Sequence, residues 1–518
     1  MNLARAASFL VAAGLWAAAA AAQPKVDLDP KEGQGHLLFK VVSARQVSFL
    51  NPKWTTLVLQ SKAIGRFEEI YNLAEPATAG SLFFARIPEG EYEFVELKSI
   101  GPGPGLLLAL LASDNQSMRS RIGAITVRRG KLTNLGTLVV AAPSGKPPEI
   151  EHLSGPAGRQ SVAEEFERRT GRRLEMETQE TGKDADAQAE KQALAHARSM
   201  ISLIGWGDDA GDGLLGGAAL GQIAALGPDG AWRIETLDTL DDVRYARRLE
   251  DGTLIAGLPQ GRYALRRPGQ RWSYLGLPDR DPVIAYVDTT PDGGAVFVAS
   301  TPAKTMVFKR ASLDAPDAEV QTIATLDFPL HLRPNPVLSL DNGLLIVENH
   351  PGISRTAHLT MIDKQSLKVR TTQLPFWINS WQRMPSGEIV VSRQNGMSHY
   401  KSVSNDQGAT WSGEPAEIPR DTRYIDAQRG YGLNMTPGLF DVTIQLLKTV
   451  DGGKTWTKAG PSLDSKGTTR LLRVADGAVF AAIGAEMYVS RDDGKTWTRS
   501  VLRENAPPKP EVLEAKPE

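Results

Sequence analysis

Three stretches near the C-terminal end repeat one arrangement of hydroxyl, carboxylate, glycine and indole. They read SNDQGATW over 404–411, TVDGGKTW over 449–456 and SRDDGKTW over 490–497. In each, a hydroxyl residue (Ser404, Thr449, Ser490) stands two positions before an aspartate (Asp406, Asp451, Asp492). A glycine follows (Gly408, Gly453, Gly494), and a tryptophan closes the stretch (Trp411, Trp456, Trp497). An aspartate so placed could be an acid–base catalyst, a calcium ligand or an acceptor for the N–H groups of its own turn. Calcium takes about six or more oxygens, and DGGKTW supplies one carboxylate beside a lysine. A hydroxyl and a carboxylate one residue apart can instead fold back onto the following turn. The glycine gives the positive φ of a tight hairpin, and the indole can cover the hairpin's apolar side. These twelve residues are therefore read as architecture, with no metal and no cofactor expected.

The spacing says what they build. Asp406 and Asp451 are 45 positions apart and Asp451 and Asp492 are 41 apart, and a four-stranded propeller blade takes roughly 40–45 residues. Trp232 after GPDGA and Trp272 after RPGQR, 40 apart, extend the rhythm backwards, and the 139 positions from Trp272 to Trp411 hold three periods of about 46. This predicts a β-propeller of about seven blades over 199–503, with six or eight still allowed by the unmarked stretch. Segments such as DGGAVFVASTPAKTMVFKR and DGAVFAAIGAEMYVSRD, short β-rich runs between glycine turns, give the same antiparallel texture. The S/T-x-D-x-G-x-T-W pattern resembles the Asp-box, or bacterial neuraminidase repeat. That repeat occurs in the propellers of sialidases, sortilin-like receptors, some xyloglucan hydrolases and photosystem II assembly and stability factors. The resemblance implies that the boxes sit on outer turns, away from the central funnel.

The expected fold is all-β, with an N-terminal β-sandwich over 23–145 ahead of the propeller. HLLFKVV, WTTLVLQS, SLFFARI, GEYEFVELKS, RIGAITVRR and KLTNLGTLVVA read as six strands, with hairpin turns in IPEGEYEF and VRRGKLTNLGTL. The pattern is similar to transthyretin-like or carboxypeptidase-regulatory-like sandwiches. GPGPGLLLALLAS, at 101–113, reads as a run buried in the sandwich or against a neighbouring domain, with an exposed sticky loop as the alternative. Residues 146–198 read as a solvated, partly helical linker, with one helix starting at Ser161 and Glu164 in capping-box spacing. Residues 504–518, rich in proline and charge, read as a disordered tail.

Residues 1–22 read as a signal peptide. Arg5 precedes an apolar run of about 17 residues that ends in an Ala-x-Ala pattern before Gln23. A retained anchor needs about 20 strongly apolar residues, so the expectation is a periplasmic or secreted protein with no transmembrane anchor after cleavage. The chain of 518 residues has no cysteine, which leaves its cores to hold it. Its formal charge of -1 argues against a nucleic-acid partner.

Other catalytic signals are sparse. The sialidase resemblance implies an Arg-Ile-Pro at the start of the propeller, but the ARIP found here ends at Pro88, inside the predicted sandwich, so the role does not pass to Arg86. His350 and His358, with Glu348, lack a metal-binding spacing, and GDDAGDG at 207–213 reads as a turn between strands, with a cation loop as the alternative. Trp377 and Trp381 fall outside the box rhythm, and RDTRYIDAQRGYG follows them. Aromatic residues with arginine suit interface anchors or carbohydrate platforms. Trp377, Trp381, Arg423 and Tyr424 are thus the candidate binding residues, against the alternative that the tryptophans pack blades. The leading expectation is a non-catalytic binding or assembly scaffold for an envelope protein or glycan. The alternative is a secreted sialidase-like glycoside hydrolase or lyase.

Overall fold

The computed structural model describes residues 32–43, 53–73, 80–100, 118–141, 149–173, 178–179, 187–199, 203–208, 214–227, 231–277, 283–301, 303–315, 320–328, 337–339, 344–349, 357–384, 386–396, 398–437, 442–465, 469–475, 478–483, 486–500 and 511–513. They fall into two compact units that divide near position 201.

The first unit holds two sheets. One orders Gly80–Pro88, Gln34–Ser43, Leu132–Ala141 and Glu149–Leu153, with Thr178–Gln179 beside the third. The other orders Phe67–Tyr71, Lys53–Ser61, Gly90–Ile100 and Ala124–Val127. Side chains alternate across a strand, so Leu37, Phe39 and Val41 enter one core with Leu57, Leu59, Phe94 and Leu138 from both sheets. Only Glu89 separates Gly80–Pro88 from Gly90–Ile100, too few residues for a two-residue hairpin loop. The chain turns a corner into the other sheet there, and it changes sheet again between Ala124–Val127 and Leu132–Ala141. The two expected hairpins are therefore corners.

The expectation of a solvated linker over 146–198 is also corrected. Glu149–Leu153 extends the first sheet, and helix α1 (Pro156–Thr170) lies on that sheet's other face. There Val162 and Phe166 pack with Leu38, Leu82 and Leu132. Lys40 reaches Glu165 at 2.6 Å, and Arg169 contacts the same carboxylate. The helix starts at Pro156, whose missing N–H costs nothing in a first turn, so Ser161 and Glu164 lie inside it. Gly171, at φ 65°, closes it by donating its N–H to Glu167 O. Glu190 of helix α2 (Ala187–Ser199) accepts the Gly158 N–H at 3.1 Å.

The second unit is a β-propeller. Its described residues form seven antiparallel sheets in chain order, within 203–236, 245–276, 283–326, 337–374, 377–418, 421–465 and 469–500, each with four strands in sequence order. Inner strands such as Leu254–Gly257 and Ala295–Ser300 are buried throughout, whereas the fourth strands Ser273–Gly276 and Gln321–Leu326 hold only exposed and half-buried residues. Consecutive sheets share apolar clusters. Leu215 meets Leu254, Ile255 shares a cluster with Phe297 and Val347, Leu359 meets Trp381, Met384 meets Tyr424, and Leu433 meets Val479. The last junction returns to the start, where Leu214 and Leu226 of the first sheet pack with Phe480, Met487 and Val489 of the seventh. Within the stretch read as a disordered tail, Glu511–Leu513 pairs with 497–499 as a fifth strand of the seventh sheet.

Removing the Phe480 ring should leave a cavity at this closing junction. Phe480→Ala is expected to lower unfolding free energy by about 3–5 kcal/mol in urea titrations, and a loss below 1 kcal/mol would mean that the junction bears little of the fold.

Candidate functional site

Each box occupies the turn between the third and fourth strands of its sheet. Ser404 ends Ser398–Ser404 and Trp411 precedes Ser412–Ile418; the other two boxes hold the same place in the sixth and seventh sheets. In the first box Ser404 Oγ donates to Asp406 Oδ1 at 2.9 Å and accepts the Gly408 N–H at 2.6 Å. Asp406 also accepts the Thr410 N–H at 2.8 Å and the Thr410 hydroxyl at 2.5 Å. The same set recurs around Asp451, with Thr449, Gly453 and Thr455, and around Asp492, with Ser490, Gly494 and Thr496. Trp411 and Trp456 donate their indole N–H to the carbonyls of Gly408 and Gly453, each at 3.1 Å, and Trp497 is 1% exposed.

These bonds set the charge state. The Thr410 hydroxyl and N–H hold the Asp406 carboxyl down at about 2. Thr455 lowers Asp451 further. At Asp492 burial opposes the shift, and the bonds from Thr496 and Ser490 outweigh it. The boxes also fasten one sheet to the previous one. Asp493 contacts the Tyr431 hydroxyl, and a Cβ on Gly494 would stand 2.4 Å from Leu446 Cδ2 and 2.5 Å from Ala459 O, so space as well as its φ of 82° requires glycine there.

The sheets without a box tryptophan keep part of this chemistry. In the third sheet's outer turn Ser312 Oγ donates to Asp314 Oδ1 at 3.0 Å, a hydroxyl–x–Asp pair that was readable in the sequence. In the fourth, Asp363 Oδ1 accepts the N–H groups of Gln365 and Ser366 at 3.0 and 2.6 Å. Trp272 sits at the same turn of the second sheet, with the Arg266 guanidinium 5.0 Å over its ring.

The candidate binding residues lie on two neighbouring first strands, Trp377–Arg383 and Asp421–Tyr424. Trp381 is 8% exposed and packs with Ile378, Ile389 and Leu359, and Tyr424 is 5% exposed beside Met384 and Val390. Gln382 joins the strands by accepting the Tyr424 N–H at 2.8 Å and donating to Tyr424 O at 2.7 Å. Trp381, Arg423 and Tyr424 line one narrow crevice with Gln382 and Thr422. Trp377 and Arg423 are half-buried and form the more accessible part of the set.

Sequence reasoning missed a buried ionic chain across three sheets. Asp288 Oδ2 accepts from Lys364 Nζ at 2.9 Å, its Oδ1 lies 3.3 Å from Arg247, and Arg247 stands 4.7 Å over the Tyr286 ring. Its members are far apart in sequence, so no local pattern announces it. Arg86 lies in the first unit, opposite His36, and His358 is half-buried in Ala357–Asp363. Positions 101–113, 209–213 and His350 lie outside the described residues. Among the described residues no group of three or more His, Cys, Asp or Glu is arranged to hold a metal.

No family model and no curated protein matches the chain. Among solved structures it is similar to a polysaccharide lyase of family PL25, an ulvan lyase bound to a GlcA(1-4)Rha3S fragment, at 10% identity and TM-score 0.34 over 58% of this chain and 95% of that one. It is similar to YCF48 bound to a D1 peptide at 17% identity and TM-score 0.32, over 49% and 80% of the two chains. The β-propeller domain of Cps50 (Swd1) from Myceliophteria thermophila gives 12% identity and TM-score 0.38, over 58% and 96%. These are likenesses of fold, and no ligand or activity passes from them to this chain.

Because the box carboxyls titrate below their ordinary 3.8 when folded, they contribute stability that is fully present above about pH 4 and lost as pH falls towards 2. Asp406→Asn should therefore melt a few degrees below the parent at pH 6, with the gap narrowing steadily between pH 4 and 2. A gap of constant size across that range would show that the ionised carboxylate is not what the turn requires.

Proposed function

We propose that the chain is an exported, non-catalytic scaffold of the cell envelope. In this reading a seven-bladed Asp-box propeller carries an N-terminal β-sandwich of transthyretin-like kind, and the propeller face holds an envelope protein or a glycan. The observation that carries the reading is the division of labour among polar groups. The box aspartates are occupied by their own turns, whereas Trp377 and Arg423 are half-buried at adjoining first strands, and Arg423 lines the crevice between the two sheets. Buried aromatic and arginine anchors dominate interface energetics. Export rests on the leader-like residues 1–22, and the net charge of -1 supports a partner other than nucleic acid.

The glycosidase or lyase alternative has one cluster in its favour, the neighbouring Tyr245, Arg247, Tyr286 and Asp288 on two first strands. Its carboxylate is already held between Lys364 and Arg247, which suits a tie between sheets better than a titrating acid.

Trp377→Ala and Arg423→Ala, each melting like the parent, should weaken capture of the envelope partner or glycan by roughly thirtyfold, about 2 kcal/mol. Trp381→Ala should instead lower stability by about 3–5 kcal/mol. Undiminished binding in both surface variants, or release of reducing or unsaturated sugar from glycan panels by the parent protein, would replace this reading.

A further inference from the structure

In the second sheet of the first unit, Phe67–Tyr71 is the outermost strand, paired with Lys53–Ser61. In an antiparallel pair only alternate residues turn their N–H and C=O groups toward the partner. Ser61 donates its N–H to Arg66 O at 2.8 Å, and Asn72 donates its N–H to Thr55 O at 2.9 Å. Glu68 and Ile70 are in step with these and face Lys53–Ser61. Phe67 and Glu69 therefore point their N–H and C=O groups the other way, along the edge. Past Tyr71 the chain bends to the first sheet, where Asn72 pairs with Phe83 and Leu73 donates its N–H to Leu82 O, which bounds the edge at that end.

The side chains here are exposed as well. Phe67 and Tyr71, 57% and 65% exposed, flank Glu69 on one face, and Ile64, 72% exposed, lies in the turn before them. Ile70 enters the core on the opposite face. Glu69 lies 2.6 Å from Lys98 and accepts the Tyr71 hydroxyl at 3.0 Å, and Lys98 is also 3.6 Å from Glu96. Glu69 and Glu96 both stand opposite Val58 in the register, so two carboxylates share one ammonium on this face. The other charges nearby are matched among themselves: Arg66 meets Glu68, Lys62 lies between Glu91 and Glu93, and Arg119 contacts Glu93.

We propose that this edge takes an extended segment of another protein as an added strand, with a basic residue facing Glu69 and apolar residues against Phe67 and Tyr71. Strand addition draws affinity from main-chain bonds and specificity from alternate side chains, and both are on offer here. A lipid surface cannot match donors and acceptors in fixed alternation. A second copy of the chain suits the edge poorly, because antiparallel pairing about Glu69 would set that carboxylate against its own copy, and like charges directly opposite are destabilising. A short strand with glutamates thus resists self-pairing while accepting a basic strand. The inference concerns the first unit and does not rest on the function proposed above.

The test is fluorescence anisotropy on the full chain at low salt with two labelled peptides, TTITKTITT and TTITETITT, which differ only at the centre. The lysine peptide should bind saturably and at least fivefold more tightly than the glutamate peptide. Phe67→Pro removes an N–H that faces the open edge, a place where a strand tolerates proline. It should melt like the parent and bind the lysine peptide at least fivefold more weakly. Glu69→Lys should reverse the order of the two peptides, and it decides the matter if Phe67→Pro fails to fold. The proposal is overturned if the lysine peptide does not bind, if the parent binds both peptides alike, if a folded Phe67→Pro binds like the parent, or if Glu69→Lys leaves the order unchanged.

Discussion

A four-stranded sheet whose two faces are both apolar cannot be satisfied alone. In the third sheet every residue of Ala295–Ser300 is buried, so the side chains of both parities must find cover, and only another sheet on each side supplies it. The requirement passes from sheet to sheet until Phe480 and Val489 reach Leu214 and Leu226. Closure is thus a matter of side-chain packing between the first and last sheets, since strands of the two do not pair among the described residues. The remaining features follow from keeping seven such sheets in a fixed relation.

Apolar contact fixes distance well and register poorly, and polar groups at the junctions supply what it lacks. Arg310 is fully buried between the second and third sheets, over the rings of Tyr263 and Phe297, and bonds the Tyr263 hydroxyl and Gly276 O. Gln382 imitates a strand by meeting both the N–H and the carbonyl of Tyr424. A buried polar group is costly unless bonded, so Arg310 and Gln382 both favour one placement of the neighbouring sheet. The box turns act likewise at the outer edge, where Asp493 meets Tyr431 of the preceding sheet.

The sequence showed what is local. A box bonds residues two to four positions apart, so its pattern survives as a motif, and its interval gives the sheet repeat. What depends on remote partners was not legible. Phe67–Tyr71, with two adjacent glutamates, reads as polar until Lys53–Ser61 pairs with it. Helix α1 looks solvated because the residue that makes sense of Glu165 is Lys40, in the first strand. The two off-rhythm tryptophans illustrate a third cause. Four positions apart on a regular strand, Trp377 and Trp381 would share a face, but an irregularity between Ile378 and Ser380 shifts the pairing. One extra residue reverses the alternation, so Trp381 joins Ile378 in the core while Trp377 does not.

The outer turns of the propeller share one polar solution for a reason rooted in their backbone. Tight turns need acceptors for their inward N–H groups, and aspartate is the side chain that supplies them at Asp363, Asp406, Asp451 and Asp492. Acidic residues recruited this way stay ionised, with their oxygens engaged by the donors of their own turns. Arginine has no such duty in a turn, because it offers only donors. In the second sheet and its turns arginine takes the complementary part, for Arg244, Arg247, Arg248, Arg262, Arg266 and Arg267 each meet a carboxylate. The net charge of -1 bears on bulk attraction to polyanions, whereas the local pairing of acids with turn donors and of arginines with acids is what holds turns and sheets in place.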